Sequence, residues 1–242
     1  FETDKYICVR HPDNPDYFFG NYLLLRPGEY NKKQLEEDFS SIIGSSDVYN
    51  HKMFQWLKGE LEIELQPFIE DGYKFMATKV LTANETTFKS SKTINSEVTI
   101  LSFNSDDHWQ KLFDLEMLQR AEDEPIEGYK AFLHGKIRMY KAMVNAEQGQ
   151  WFGAFINSEL VGSVGFFHDD KMGRFQSVLT HPDYRGQGIC KTIVSHACNY
   201  ALTKTSRLIM LADSDYHAAK IYEGLGFECI EDISSLYWWK KE

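Results

Sequence analysis

The sequence predicts an α/β chain built on a mixed sheet (α+β), and three observations carry that expectation. Aromatic and β-branched runs alternate with amphipathic stretches at helical spacing along the 242 residues. The second half holds an antiparallel meander followed by strand–helix–strand, so antiparallel and parallel pairing are both expected. A polar run from Asn84 to Ser96, with one isolated aromatic, reads as a linker between this half and an N-terminal region of β-α-β-α-β order. The expected division is 1–95 and 96–242.

In the N-terminal region, Tyr17 to Leu25 is aromatic and aliphatic enough for a strand. Asn31 is placed to cap a helix, with Gln34 at the capping-box position and Leu35, Phe39, Ile42 and Ile43 on one face. Gly44 ends it. His51 to Trp56 reads as a strand, Glu60 to Glu70 as a helix and Tyr73 to Leu81 as a strand, with no Gly-rich phosphate loop or metal spacing among them.

After the linker, Glu97 to Phe103 reads as a strand, and Ser105 caps a helix carrying Trp109, Leu112 and Phe113. A longer helix places Tyr129, Phe132, Leu133, Ile137, Tyr140 and Val144 at helical spacing. Trp151 to Ile156 and Leu160 to Phe167 form a hairpin through Asn157-Ser158. Phe175 to Thr180 is the third strand. A helix then carries Ile189, Ile193, Ala197 and Tyr200 on one side. Arg207 to Leu211 is a strand, Ser214 to Gly224 a helix, and Phe227 to Ile230 and Leu236 to Trp239 are two closing strands, with Trp238-Trp239 expected at a sheet edge or on a partner surface.

Composition excludes several classes. Lys and Arg total 26 against 36 Asp and Glu, a net charge of -10 spread over the chain, so no basic face for nucleic acid is expected. Hydrophobic residues at 43% exclude a disordered chain. No run reaches the apolar length of a membrane span. Four cysteines do not make a disulfide framework and predict reduced thiols in a cytoplasmic protein. The chain opens Phe1-Glu2-Thr3-Asp4, without Met and without the plan of a signal peptide, so a missing or processed start is expected. His196 and Cys198, with Cys190 earlier on the same helix, lack a second ligand pair, and no metal is expected.

Arg185 to Cys190 links a strand to a helix through two glycines. Glycine lets the backbone turn tightly there, and the free N–H groups of the first helical turn, with the helix dipole, suit a phosphate. A dinucleotide-binding Gly-x-Gly-x-x-Gly is not present, because Lys191 stands where its last glycine would be.

Thr180-His181-Pro182-Asp183-Tyr184-Arg185-Gly186-Gln187-Gly188-Ile189-Cys190 resembles the acyl-CoA loop of the GNAT superfamily of N-acyltransferases: Arg or Gln, two residues, Gly, one residue, Gly or Ala. Cys190 departs at the last position. Ala218-Ala219-Lys220-Ile221-Tyr222-Glu223-Gly224-Leu225-Gly226-Phe227 is similar to the second signature of that family, and the two stand in family order over about residues 97–242.

The resemblance implies a GNAT acyl-CoA N-acyltransferase fold with an N-terminal α/β region, and acetyl-CoA as co-substrate. It implies that the exposed backbone of Val178, Leu179 and Thr180 holds the pantetheine arm. The N–H groups of Gly186, Gln187, Gly188, Ile189, Cys190 and Lys191 would hold the pyrophosphate, with Arg185 and Lys191 adding charge. Tyr222 matches the general acid that protonates the departing thiolate. The reaction implied is direct transfer of an acetyl group to a primary amine of a small molecule, amino acid or peptide; from charge and hydropathy neither nucleic acid nor membrane is expected as a partner, and a homodimer is a candidate assembly.

Two positions depart from the family. Gln176 stands where many members carry a catalytic Glu, and Asp215 where an Asn often touches pantetheine. The base is then open among His181, Asp123 and Glu124. Cys190 has two readings: a tolerated small residue, or a thiol acidified by the helix N-terminus and able to form a mixed disulfide with CoA. The N-terminal region reads as a degenerate copy of the same fold or an unrelated α+β cap. Two other roles stay open: an acyl-CoA-holding module without transfer, and an interaction scaffold with an occluded cleft.

Overall fold

The computed structural model describes residues 1–240 apart from 46, 62, 92–94, 123 and 215–217. The chain divides into two compact units, residues 1–80 with 213–216 and 231–242, and residues 81–212 with 217–230.

The first unit contains β1 (Tyr6–Val9), β2 (Tyr22–Leu25), α1 (Lys32–Ile42), β3 (His51–Leu57), α2 (Gln66–Glu70), most of β4 (Lys74–Ala83) and the end of β10 (Glu228–Trp239). β1 and β2 pair antiparallel, β2 and β3 parallel, and β3 antiparallel with residues 233–239 of β10. Asn31 Oδ1 accepts from the Gln34 N–H at 3.0 Å, so α1 starts where its cap predicts. Leu35 and Phe39 carry its buried face into a core with Leu23, Phe54 and Leu236.

Three expectations for elements touching this unit are corrected. The strand expected over Tyr17 to Leu25 begins only at Tyr22, because the buried Asn21 side chain donates to the carbonyls of Asn14 and Tyr17 and holds Phe18–Gly20 in a 3-10 turn. The helix expected over Glu60 to Glu70 is confined to Gln66–Glu70; Pro67 lacks the N–H that a preceding turn would need and sits in the first turn instead. The two closing strands are one, β10, because Ser234 and Ser235 are buried in the sheet rather than forming a turn, with Gln55 Nε2 donating to Ser235 Oγ at 3.2 Å. β1 is a strand the sequence did not announce.

The second unit contains β5 (Thr99–Ser102), α3 (Asp106–Met117), α4 (Ile126–Asn145), β6 (Gly149–Ile156), β7 (Glu159–His168), β8 (Met172–Thr180), α5 (Ile189–Ala201), β9 (Arg207–Asp213) and α6 (Ala218–Glu223). Its strands run in the order β9-β8-β7-β6-β5, antiparallel from β5 to β8 and parallel between β8 and β9. Asn157 and Ser158 turn the β6–β7 hairpin with φ of 49° and 68°, the left-handed pair such a two-residue turn needs.

Alternation along β6 and β7 divides the core between two faces. Phe152, Ala154, Val161, Val164 and Phe166 meet Ile193, Val194 and Ala197 of α5. Trp151, Phe155, Leu160 and Phe167 meet Trp109, Leu112 and Leu115 of α3 and Ile137 and Tyr140 of α4. Trp151 is fully buried and its Nε1–H donates to Ser163 Oγ at 2.8 Å, which satisfies the indole's one polar group. The polar run after β4 is bonded into this unit: the Lys89 N–H donates to Leu225 O at 2.8 Å and the Ser91 N–H to Ser195 Oγ at 3.2 Å.

Candidate active site

The site starts where β8 leaves β9. The parallel pairing runs from Met172↔Arg207 to Arg174↔Ile209 and ends there, although β8 continues to Thr180 and β9 to Asp213. On its other side β8 stays paired with β7 as far as Gly162↔Thr180, but with one extra residue: Gly165 faces Gln176 and Ser163 faces Leu179. Ser177 in this bulge takes a φ of 44°. A bulge bends its strand and increases the local twist. Val178, Leu179 and Thr180 therefore lie on the stretch where β8 and β9 part.

The loop beyond β8 is held at its start. The His181 N–H donates to Val161 O at 2.9 Å, and Pro182–Tyr184 forms a 3-10 turn. Gly186 and Gly188 both take a φ of 76°, and a Cβ on either would meet no atom within 4 Å. Glycine is required here by conformation and not by crowding, and the space above the loop is open. Gly188 is the N-cap of α5 and no side chain caps the helix. The first N–H groups of α5 thus have no intrahelical acceptor, and the dipole adds positive potential, which suits an anion. Lys191 stands on the first turn.

Three side chains that the sequence does not single out hold this loop. Arg185 Nη2 donates to Gln119 Oε1, at 2.9 Å, in the turn after α3. Asn95 Nδ2 donates to Gln187 O at 2.9 Å, and Thr192 Oγ1 donates to Gly188 O at 2.9 Å. Gln119 carries no local signal. Asn95 does carry one: its Oδ1 accepts from the Glu97 N–H at 2.9 Å, the side-chain turn that Asn forms before a strand.

Tyr222 lies on α6 with 4% of its surface exposed, in a core cluster with Phe175, Ile189 and Phe227. Val178 and Cys190 pack against the same cluster, so one core gathers the bulged strand, the helix start and this tyrosine, while Leu179 packs against the opposite one. Gly226, after α6, takes a φ of 88°, and a Cβ there would strike the carbonyl of Thr87.

Burial pushes the Cys190 thiol up to about 11, the opposite direction to an acidified thiol. His181 Nδ1 accepts from the Asp183 N–H at 3.3 Å and its Nε2 lies 3.9 Å from Glu159. Glu124 sits in the α3–α4 loop, which Arg120 ties down by donating to the carbonyls of Ala121 and Glu124. Asp123 and Asp215 lie outside the described residues. The Glu116 carboxylate, buried between α3 and α4, pairs with Lys136 Nζ at 2.8 Å. His196 lies edge-on to Phe152 and Cys198 is buried in the core; no group of metal-binding side chains occurs among the described residues. Nor, among them, is any helix long and apolar enough to cross a membrane.

The family model for acetyltransferases of the GNAT family matches residues 109–227, a span that takes in the β8 bulge, the glycine loop and Tyr222. These residues form a GNAT-family acetyltransferase domain. Solved structures agree in fold. A functionally unknown conserved protein from Staphylococcus epidermidis superposes with a TM-score of 0.78 at 15% identity, covering 98% of this chain and 92% of its own. A GCN5-related N-acetyltransferase from Kribbella flavida gives 0.61 at 12% identity, covering 96% and 88%. A tandem GNAT protein from the clavulanic acid biosynthesis pathway, solved without AcCoA, gives 0.59 at 11% identity, covering 91% and 74%. These likenesses extend past the GNAT domain into residues 1–80. No curated protein matches the chain.

Proposed function

We propose that the chain is an N-acetyltransferase that moves an acetyl group from acetyl-CoA to a primary amine of a small molecule, amino acid or peptide. The observation that carries this reading is the parting of β8 from β9 at Arg174, directly upstream of a glycine-capped helix, within a GNAT domain.

The residues present fit the co-substrate. Along Val178, Leu179 and Thr180 the β9-facing side of β8 has no strand partner, and the backbone N–H and C=O groups on that side are the complement of the amides of a pantetheine arm. The N–H groups from Gly186 through Gln187, Gly188, Ile189 and Cys190 to Lys191 suit a pyrophosphate, and the open space over Gly186 and Gly188 leaves room for one. Arg185 and Lys191 add positive charge. The thioester supplies an activated acetyl group, and the protein's part is to hold it and the amine in line. Tyr222 gives its hydroxyl proton to the departing sulfur; a phenol, with an ordinary pKa of about 10, carries that proton at neutral pH.

Gln176 has no basic group to take the proton of the incoming ammonium. The neutral fraction of the amine attacks, and His181, Glu124 or water accepts the proton released. The test is turnover over a panel of primary amines with wild type and Tyr222→Phe. The expected result is acetylated product with the wild type, a kcat reduced about 100-fold or more in the variant, and CoA affinity nearly unchanged. Equal turnover would remove Tyr222 from the mechanism.

A second reading is a module that holds acyl-CoA without transferring it. Gln176, in the place of the family's carboxylate, is what favours it. That reading requires CoA binding with no product from any amine.

A further inference from the structure

We infer that Asn95 is a positioning residue for the anion site of the glycine loop, setting the direction of the peptide N–H groups at the start of α5. The inference rests on the reading of that loop as the pyrophosphate site.

The argument begins with the planar trans peptide, in which C=O and N–H point in opposite directions. Fixing one carbonyl therefore aims the N–H of the next residue. Asn95 Nδ2 donates to Gln187 O at 2.9 Å, so the Gly188 N–H is turned the other way. Thr192 Oγ1 donates to Gly188 O at 2.9 Å, as does the Thr192 N–H at 3.0 Å, and these turn the Ile189 N–H outward. The two holds are joined, because the Asn95 N–H donates to Thr192 Oγ1 at 3.1 Å. Thr192 is buried and can serve as the fixed point.

Such a hold is needed at this position. Gly186 and Gly188, each at a φ of 76° with open space where a Cβ would stand, leave the intervening peptide free to rotate. A rotated 187–188 peptide would present the Gln187 carbonyl, and not the Gly188 N–H, to a bound anion. Asn95 selects one orientation before the ligand arrives, which lowers the ordering cost of binding. It does this from residue 95, upstream of the 109–227 segment that matches the GNAT family.

The test compares CoA with S-acetylpantetheine, which has the arm and lacks the pyrophosphate, by titration calorimetry on wild type, Asn95→Ala and Asn95→Asp. One lost hydrogen bond corresponds to a weakening of CoA binding of about five- to tenfold in Asn95→Ala. S-acetylpantetheine affinity is expected to stay within about twofold of wild type. Asn95→Asp can still accept from the Glu97 N–H but has no donor for Gln187 O, and is expected to lose at least as much CoA affinity as the alanine variant. Unchanged CoA affinity in both variants would overturn the assignment. So would an equal loss for both ligands, which marks a general structural role. A wild type that binds S-acetylpantetheine and CoA equally would refute the pyrophosphate reading itself, separately from any effect of the variants.

Discussion

Arg185 Nη2 donates to Gln119 Oε1 at 2.9 Å, tying the first residue of the glycine loop to the turn that follows α3. The resemblance gives Arg185 a charge role toward a phosphate, and the structure adds a second partner for the same guanidinium. The loop and the α3–α4 turn are thus joined by one side-chain bond. The amide of Gln119 is oriented by it, with Nε2 buried and without a partner among the described residues.

If that bond positions Arg185, the effects of Arg185→Ala and Gln119→Ala on acetyl-CoA affinity are not additive. A double-mutant cycle measured by calorimetry is expected to give a coupling of about 0.5–1 kcal/mol, the size of an exposed charge-assisted contact. Strict additivity would mean that the two residues act independently on the ligand.

Gly188 and Gly226 both have positive φ but differ in what surrounds them. Alanine at Gly188 meets open space and pays only the left-handed backbone strain, about 1–2 kcal/mol of stability. Alanine at Gly226 adds a collision with the carbonyl of Thr87, in a segment bonded to Leu225 O through Lys89, so its loss is expected to be larger. Denaturant unfolding of the two variants orders them. Equal losses would mean that the chain before β5 gives way freely.

His51, 1% exposed among Phe18, Phe39, Tyr49 and Trp239, has its pKa lowered from 6.5 to about 4, chiefly by burial, with the Asn21 carbonyl and Asp16 pulling the other way. A base whose folded pKa is depressed binds protons more tightly when unfolded. Stability is therefore present above pH 6.5 and is lost as pH falls toward 4. Between pH 7 and pH 5 the loss is on the order of 2 kcal/mol. Thermal unfolding over that range is expected to show a shallower pH slope in His51→Gln than in wild type, and identical slopes would contradict the assignment.

Cys190, pushed up to about 11 by burial, stays a thiol at neutral pH. At pH 8 iodoacetamide is expected to modify the exposed Cys229 well before Cys190, and the Cys190 rate to climb only as pH approaches 11. Because the folded pKa is raised, the linked stability is present below pH 9 and is lost between pH 9 and 11. Modification of Cys190 at the rate of Cys229 at pH 8 would reverse this account.

Local chemistry made much of this legible in the sequence. Asn31 and Ser105 cap helices as their positions predict, with Oγ of Ser105 accepting from the His108 N–H at 3.4 Å, and Asn157-Ser158 turns the hairpin. The glycine loop was readable because Gly186 and Gly188 mark a backbone conformation that few other residues adopt. The errors came where a distant partner decides. Ser234 and Ser235 look like a turn until Gln55 and β3 bury them in a strand, and Asn21 bends the chain through carbonyls of residues that carry no pattern. Asn95 and Gln119 likewise matter through a bond to a loop about 70 to 90 positions away, which local sequence does not display.

The most direct measurement for the central claim is thermal unfolding with and without acetyl-CoA. At about 100 times the dissociation constant, a ligand that binds only the folded state adds about 2.7 kcal/mol, a rise of a few degrees in Tm for a chain of this size. The account expects that rise with acetyl-CoA and with CoA. No shift with either would contradict it, leaving the parting of β8 from β9 a feature of the fold without a ligand.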